Sequence, residues 1–514
     1  MRHILTFLFF ASTITTAFTQ ANLDDLPLER QVTQDVTFEI LASDSAQHTA
    51  FKPYWRRSVE TDSLPTYFTK DRRYFTEFEF HFHSAHLINV DEPGFRLFID
   101  PILDLEWIED FSDNSAYQDT LRLYNNTRGF RLAGQIGEYV SFQSSLLENQ
   151  GFYPMYYKTR ADSFLVIPGQ GRWKPFDNNG FDFSNAFGKV SIDLGKWGIA
   201  SIGNQRFFIG NGHRSMLLSD GAFNAPYLEW RWIGLEGKLL ISKTLMSMQT
   251  LQRLPLGEVP ESLFKRKSLS FHYINWLPVK GIEIGLFEGV MWERFNSEDG
   301  GTQPLPWQSV ISIPGSQSAI VGFNDSNNQL ILGANLHLHL NEKLRGYGQV
   351  VTTNPGNNSF GYQSGIIADE LLPGIRFQAE YNIAKATTYE HADSLQNFSH
   401  NNDALAHPLG NDFEEVLFSV DHRIKRFWST WKFHYQKFHA QDAYFRSIDP
   451  KITGGETERF IIDAKIGYTI NPKMRWQILS GIRYFSDQPG LGTEETTWFY
   501  LGLRMAFLNK YYDF

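Results

Sequence analysis

Between Gly203 and Asp220 the chain reads GNQRFFIGNGHRSMLLSD. His213, Ser215 and Asp220 are the residue types of a nucleophilic triad, in which a base activates a hydroxyl and a carboxylate orients the base. No strained G-x-S-x-G turn surrounds Ser215, however. Arg214 offers planar donors, and Asp220 is its expected partner. Arg206, Phe208 and Asn211 complete a dense polar and aromatic set. Two readings stay open: a loop folded inward that braces its surroundings, or a surface that contacts a ligand. Catalysis is not expected, and Ser215→Ala with an unchanged lipid profile would remove the remaining option of a lipid-modifying enzyme.

Other clusters offer less. His81 and His83 share a strand face with Glu79, and His337 shares one with His339. A histidine pair without a clear third ligand makes no zinc site, so neither metal nor cofactor is expected. Gly169 and Gly171 lack the strand–helix frame of a phosphate loop. The 149–185 segment gathers Tyr153, Tyr156, Tyr157, Trp173 and Phe176 with Gln170, Arg172 and Asn178. Rings beside polar donors suit sugar contact, and equally suit a loop packing on itself.

The elements that must position these residues are strands. Near the C-terminus Phe499, Leu501, Leu503, Met505 and Phe507 alternate with Tyr500, Gly502, Arg504 and Ala506. That period of two marks a strand, and about 9–11 residues cross a bilayer when tilted. Phe499, Leu501, Leu503, Met505 and Phe507 are assigned to lipid and Arg504 to the lumen. Tyr500, Gly502, Met505 and Phe507, with Phe514 at the end, resemble the terminal signal of outer-membrane barrels, read by lipid and the barrel-assembly machinery. Similar alternation recurs at 332–340, 375–383, 427–436 and 460–469. Charges such as Arg376, Glu380, Lys432, Asp463, Lys465 and Arg483 line the second face. They either line a pore, the reading of a porin-like diffusion channel, or pair across a closed lumen.

Short turns (194–198, 234–237, 277–281, 341–343, 371–374, 422–425, 471–473) alternate with long polar segments (149–185, 210–225, 247–266, 293–327, 386–413, 438–458). This is the order of outer-membrane barrels, with short periplasmic turns and long outer loops. The expected fold is all-β: a transmembrane antiparallel β-barrel of about 18 strands within 74–514, the first near Phe95 to Trp107. Residues 20–73 are expected to pack beneath or plug it. Phe75 to Leu87 is a strand-like stretch outside that parity. Arg2 and His3, the apolar run Ile4 to Ala11 and small residues before Gln20 read as a signal peptide over 1–19. The chain has no cysteine, and aromatics make up 15% of it, a load that barrels place in interfacial girdles. Its formal net charge of −10 argues against nucleic acid as a partner.

The Gly203–Asp220 motif, the run Pro168-Gly169-Gln170-Gly171-Arg172-Trp173-Lys174-Pro175-Phe176 and His48-Thr49-Ala50-Phe51-Lys52-Pro53-Tyr54 resemble the Wzi-like outer-membrane proteins of the Bacteroidetes, a family that includes the RemB-like gliding-motility proteins. The resemblance implies the outer membrane of a Gram-negative bacterium of that group. It also implies a non-enzymatic role at the cell surface: attachment or handling of capsule or exopolysaccharide, or gliding and adhesion. Surface polysaccharide and gliding or surface-secretion components are the partners it implies.

Overall fold

A computed structural model describes residues 23–42, 47–56, 86–113, 122–254, 264–296, 301–323, 325, 327–354, 359–439, 456–489 and 494–514. The expected signal peptide, residues 57–73 of the expected plug segment, residues 75–85 of the extra strand-like stretch and the His81–His83 pair lie outside these.

The period-two segments form a closed wall. Eighteen antiparallel strands run in chain order from β1 (Phe95–Asp110) to β18 (Glu494–Met505). The seam closes by β18 pairing with β1, from Trp498↔Asp110 to Arg504↔Asp104. Closure gives each wall strand two neighbours, which a strand in lipid requires. Alternation sorts the faces. On β18, Trp498 and Tyr500 are buried inside, while Leu501 is 48% exposed outside. Eight short connections (137–139, 194–198, 235–238, 277–281, 340–343, 373–374, 425–426, 472–475) fall at one end of the barrel. In barrels of this class that end is periplasmic.

The lumen is filled. Residues 23–42 and 47–56 enter it: Leu23 N donates to Ser141 Oγ, Asp25 pairs with Lys189 at 2.6 Å, and Thr49 N and Ala50 N both donate to Glu283 at 2.9 Å. Helix α1 (Arg30–Ala42) forms because Val32, Val36 and Ile40 recur every four residues, giving one apolar face. That face packs on Leu26 and Tyr54. At its start the Glu29 carboxylate accepts from Val32 N, an otherwise partnerless first-turn donor. The helix lies across the short-turn mouth, tied by Asp35–Arg423 (2.9 Å), Gln31–Gln477 (2.9 Å) and Glu29–Arg504 (3.1 Å).

Two expectations are corrected and one open alternative is decided. First, the lipid-facing row of the last strand ends early. Phe499, Leu501 and Leu503 keep the outer face, but Met505 packs on the inward-facing Ile102 and Leu147. Phe507 meets the inward Phe187 ring edge-on at 6.3 Å. Regular pairing stops at Met505 and residues 506–514 turn into the lumen, ending with Phe514 buried against Tyr157.

Second, the rings of 149–185 are not a displayed surface. Helix α2 (Met155–Phe164) folds them inward, leaving Tyr153 and Tyr157 at most 1% exposed, and Tyr156 stacks on Phe485 at 4.3 Å.

Third, the 294–328 connection is not a free outer loop. It joins β9 (Ile282–Glu293) to β10 (Gln329–His339), and its residues 301–323 lie back on the outside of the wall. On β8 (Phe264–Trp276), Phe271 and Tyr273 face inward, so Ser270 and His272 face outward, yet both are at most 1% exposed. The strap covers them. Ser270 Oγ donates to Ser309 O at 2.9 Å. Glu288, directly across from His272 and 2.9 Å from its Nδ1, accepts from Ser318 N (2.6 Å) and Gly315 N (2.9 Å), at the start of helix α3 (Ser316–Val321). The strap turns Trp307 and Ile313, each 69% exposed, away from the wall.

Candidate functional site

The wall strand β5 (Ile199–Gln205) is short because the chain leaves it at Arg206 and folds into the lumen until β6 (Ala225–Gly234). Apolar side chains drive this turn inward. Phe207, Ile209, Met216, Leu217 and Leu218 are all at most 2% exposed and join one core with Phe51, Phe271 and Leu405. Phe208–Ile209 pairs antiparallel with Phe51–Lys52, a two-residue ladder inside the barrel. Gly210 takes a φ of +137° where Gln349 Nε2 donates to Ile209 O at 2.8 Å. Gly212 is needed for space: a Cβ there would lie 2.6 Å from a Glu380 carboxylate oxygen. That carboxylate accepts from His213 N (2.6 Å) and Arg214 N (3.1 Å).

Arg214 is the hub. Its guanidinium forks onto Glu415 (3.1 and 3.3 Å), donates to Asp513 O at 2.6 Å and lies 3.4 Å from Asp513 Oδ1. The expected Arg214–Asp220 pair is therefore corrected. Asp220 instead accepts from Asn509 Nδ2 (2.9 Å) and from Tyr511 Oη, while its backbone carbonyl accepts from Arg206 at 3.3 Å. The carboxylate that Arg214 needs comes from the far wall and the C-terminal tail, which the motif's own spacing does not reveal.

The remaining residues divide. Asn211 Nδ2 donates to Thr49 Oγ1 at 2.6 Å, joining the loop to the N-terminal segment. Ser215 Oγ donates to Ile209 O at 2.5 Å and accepts from Leu217 N and Leu218 N, so it staples its own turn. His213 is held by Arg30, whose guanidinium reaches its Nδ1 and its carbonyl. The three triad-type residues thus have separate partners and form no relay. Gln170 is buried beside a cavity of about 20 Å³ shared with Asn149, Asn185 and Lys510. Arg172 sits over the Phe264 ring, and Trp173 Nε1 donates to Ala161 O within the α2 cluster. Neither Arg172 nor Trp173 joins the 206–220 site. Of the lumen charges, Arg483 pairs with Asp463 (3.1 Å) and Arg376 lies 3.7 Å from Asp369.

Burial dominates the electrostatics. Lys52 Nζ donates only to backbone carbonyls, of Thr49 (2.9 Å) and Gly210 (2.6 Å), and burial pushes its ammonium down to about 7. Burial pushes Asp403 up to about 6 despite Arg160 at 3.2 Å, and pushes His407 down to about 4. Burial alone would raise Asp513, yet Arg214 and Lys432 hold it well below the usual carboxylate range. The site is a braced interior whose charges are met by opposite charges or by backbone carbonyls.

Glu415, Asp513 and Gln349 are the residues that sequence reasoning missed. The tail LNKYYDF was a visible signal: an acid and two tyrosines follow a strand whose lipid pattern has already ended.

No protein-family model matches the chain, and no curated protein matches it. Among solved structures it is similar to Wzi, described as an outer membrane protein involved in group 1 capsule assembly in Escherichia coli and a carbohydrate binding β-barrel. The identity is 10%, the TM-score 0.58, and the match covers 95% of this chain and 100% of that one. It also matches OprD from Pseudomonas aeruginosa and OccAB2 from Acinetobacter baumannii, each at 10% identity and TM-score 0.44, over 79% of this chain and 94% and 96% of theirs. The likeness to Wzi shows the fold: the chain is an eighteen-stranded barrel of the outer-membrane type.

Proposed function

We propose that this protein is a plugged, non-enzymatic outer-membrane barrel that attaches or handles polysaccharide at the surface of a Gram-negative cell. The carrying observation is the filled lumen. The N-terminal segment, the 206–224 loop and the C-terminal tail meet around Arg214, which Glu415 and Asp513 neutralise, while Lys52 and Arg206 are held by backbone carbonyls. A braced interior suits a scaffold for its outer loops better than a channel. The separate partners of His213, Ser215 and Asp220 support the absence of hydrolysis. The likeness to Wzi, itself described as carbohydrate binding, supports polysaccharide as the ligand class. The Bacteroidetes host, gliding or adhesion, and surface-secretion partners rest on the motif resemblance.

Polysaccharide pull-down on whole cells tests the reading, comparing the intact protein with one whose 165–179 loop is replaced by Gly/Ser. Signal that depends on the loop is expected; binding unchanged by the replacement removes that loop from the proposal. Planar-bilayer recording separates the channel reading. Silence is expected, and steady single-channel steps would favour a pore.

A further inference from the structure

His213, His434 and Asp513 come from three distant parts of the chain: the inward loop, the wall strand β15 (Phe427–Phe438) and the C-terminal tail. Their ligand atoms lie within 4.8 Å of one another, and all three residues are buried. Asp513 Oδ2 is 3.5 Å from His213 Nε2 and 3.4 Å from His434 Nε2. Neither Nε2 has a hydrogen-bond partner, although both are enclosed. Two buried ring nitrogens that converge on one carboxylate oxygen at ion-pair distance without hydrogen-bonding it form an arrangement that an occupant would complete. The separations are also informative. Ligands about 2.0–2.1 Å from a tetrahedral ion stand roughly 3.3–3.5 Å apart, as these histidine–aspartate edges do.

We infer that His213 Nε2, His434 Nε2 and Asp513 Oδ2 form a binding site for one divalent transition-metal ion, zinc being the reference ion. The outer contacts are those of a metal site. His434 Nδ1 lies 3.0 Å from Glu415 Oε1, a carboxylate behind a histidine that fixes its tautomer and leaves Nε2 free to ligate. Arg214 holds that same Glu415 and stands 3.4 Å from the other oxygen of Asp513. Two imidazoles and one carboxylate select an ion that binds nitrogen, such as zinc, nickel or copper, over calcium or magnesium. The cations nearby sharpen that choice. Arg30, Arg214 and Lys432 disfavour an ion held by charge alone. Arg30 also competes directly, because it occupies His213 Nδ1 and so favours a proton on Nε2. Metal binding must displace this contact. Cavities of about 60 and 50 Å³ flank the cluster, the first lined by Arg30 and His213, the second by Arg30, Lys432 and Asp513. Both are large enough for an ion to arrive with water. Once bound, it would tie the loop, the wall and the tail at one point.

The test uses the full-length protein in detergent, stripped with chelator and titrated with Zn²⁺, with Co²⁺ as spectroscopic probe. One ion per chain is expected, with visible d–d bands of a low-coordinate nitrogen-ligated site. His434→Ala or His213→Ala should weaken Zn²⁺ binding at least about 100-fold, and Glu415→Gln about 10–100-fold. Arg30→Gln should tighten it. Heat-modifiable migration on gels checks that each variant keeps its barrel. Unchanged stoichiometry in the His213→Ala/His434→Ala double variant overturns the assignment. If the variants fail to fold, the wild type decides: no retained Zn²⁺, or a Co²⁺ spectrum of the free aqua ion, overturns it equally.

Discussion

Two charged clusters sit on opposite sides of the same wall. Inside, Arg214 meets Glu415 and Asp513, with His407 and His434 on Glu415. Outside, Lys243, His272 and Glu288 sit among lipid-facing neighbours such as Leu286, which is 53% exposed. Both clusters are dry, but their covers differ. The inner one is enclosed by segments from both ends of the chain and the middle. The outer one is covered by a single strap from the adjoining connection. The alternatives differ more. An inner charge that loses its cover meets water; an outer one meets hydrocarbon, where a charge at mid-depth costs several kcal/mol. Charge inside the lumen is therefore tolerable if the plug loosens, while charge on the outer face makes the strap obligatory.

Three perturbations test that contrast. The largest effect is expected from Arg214→Met, which leaves Glu415 and Asp513 buried without their cation and should cost about 3–5 kcal/mol. Urea unfolding in micelles measures it. A loss below about 1 kcal/mol would mean that water already reaches the inner cluster. Next, replacing 305–322 by a short Gly/Ser linker should expose Lys243 to lipid and cost about 2–4 kcal/mol in bilayers. The added changes Lys243→Leu, His272→Leu and Glu288→Leu should restore stability. If the linker variant is as stable as wild type, the outer cluster does not face hydrocarbon. The most gradual effect is a pH slope. His407 is held neutral inside, at about 4 against about 6.5 unfolded, so the unfolded chain binds more protons between those values. Stability should be full above pH 6.5 and decline as pH falls toward 4, by at most about 1.4 kcal/mol per unit from this group. His407→Gln should flatten that decline and leave protease cleavage of the strap unchanged.

Alternation of side chains made the wall legible, since a period of two needs only local residues. The first strand near Phe95, the eighteen-fold count and the ordered short turns all follow from it. The inward loop was half legible. Apolar residues at 207–209 and 216–218 flank its polar centre, but Arg214's partners lie across the lumen, where sequence spacing carries no distance information. Phe507 misled for a related reason. It keeps the period of Leu501 and Leu503, but the chain has left the ladder after Met505, and periodicity does not record where pairing stops. The strap was invisible because Trp307, Val310 and Ile313 show no strand pattern. The clue lay in the wall instead, where Lys243, Ser270, His272 and Glu288 interrupt an apolar face.

The brevity of β5 has a mechanical consequence. A closed barrel has no free strand edges, but the departure of the chain at Arg206 cuts a slot above Gln205 between β4 (Gly180–Asp193) and β7 (Leu239–Arg253). The slot is dressed by its own chain. Asn204 and Asn224 side chains donate to Ala186 O on one edge (2.9 and 2.7 Å), and on the other Asn401 N donates to Gln249 O and Gln249 N to His400. The plug is thus spliced into the wall and cannot be withdrawn as a cork is. Pulling 206–224 out of the lumen would strip Asn224 from one edge and unseat His400 from Asn224 O beside the other, leaving raw backbone at a lipid boundary. Ejecting the plug and unzipping the wall should then be one event with one threshold force, visible in single-molecule pulling as the absence of a separate plug-release step.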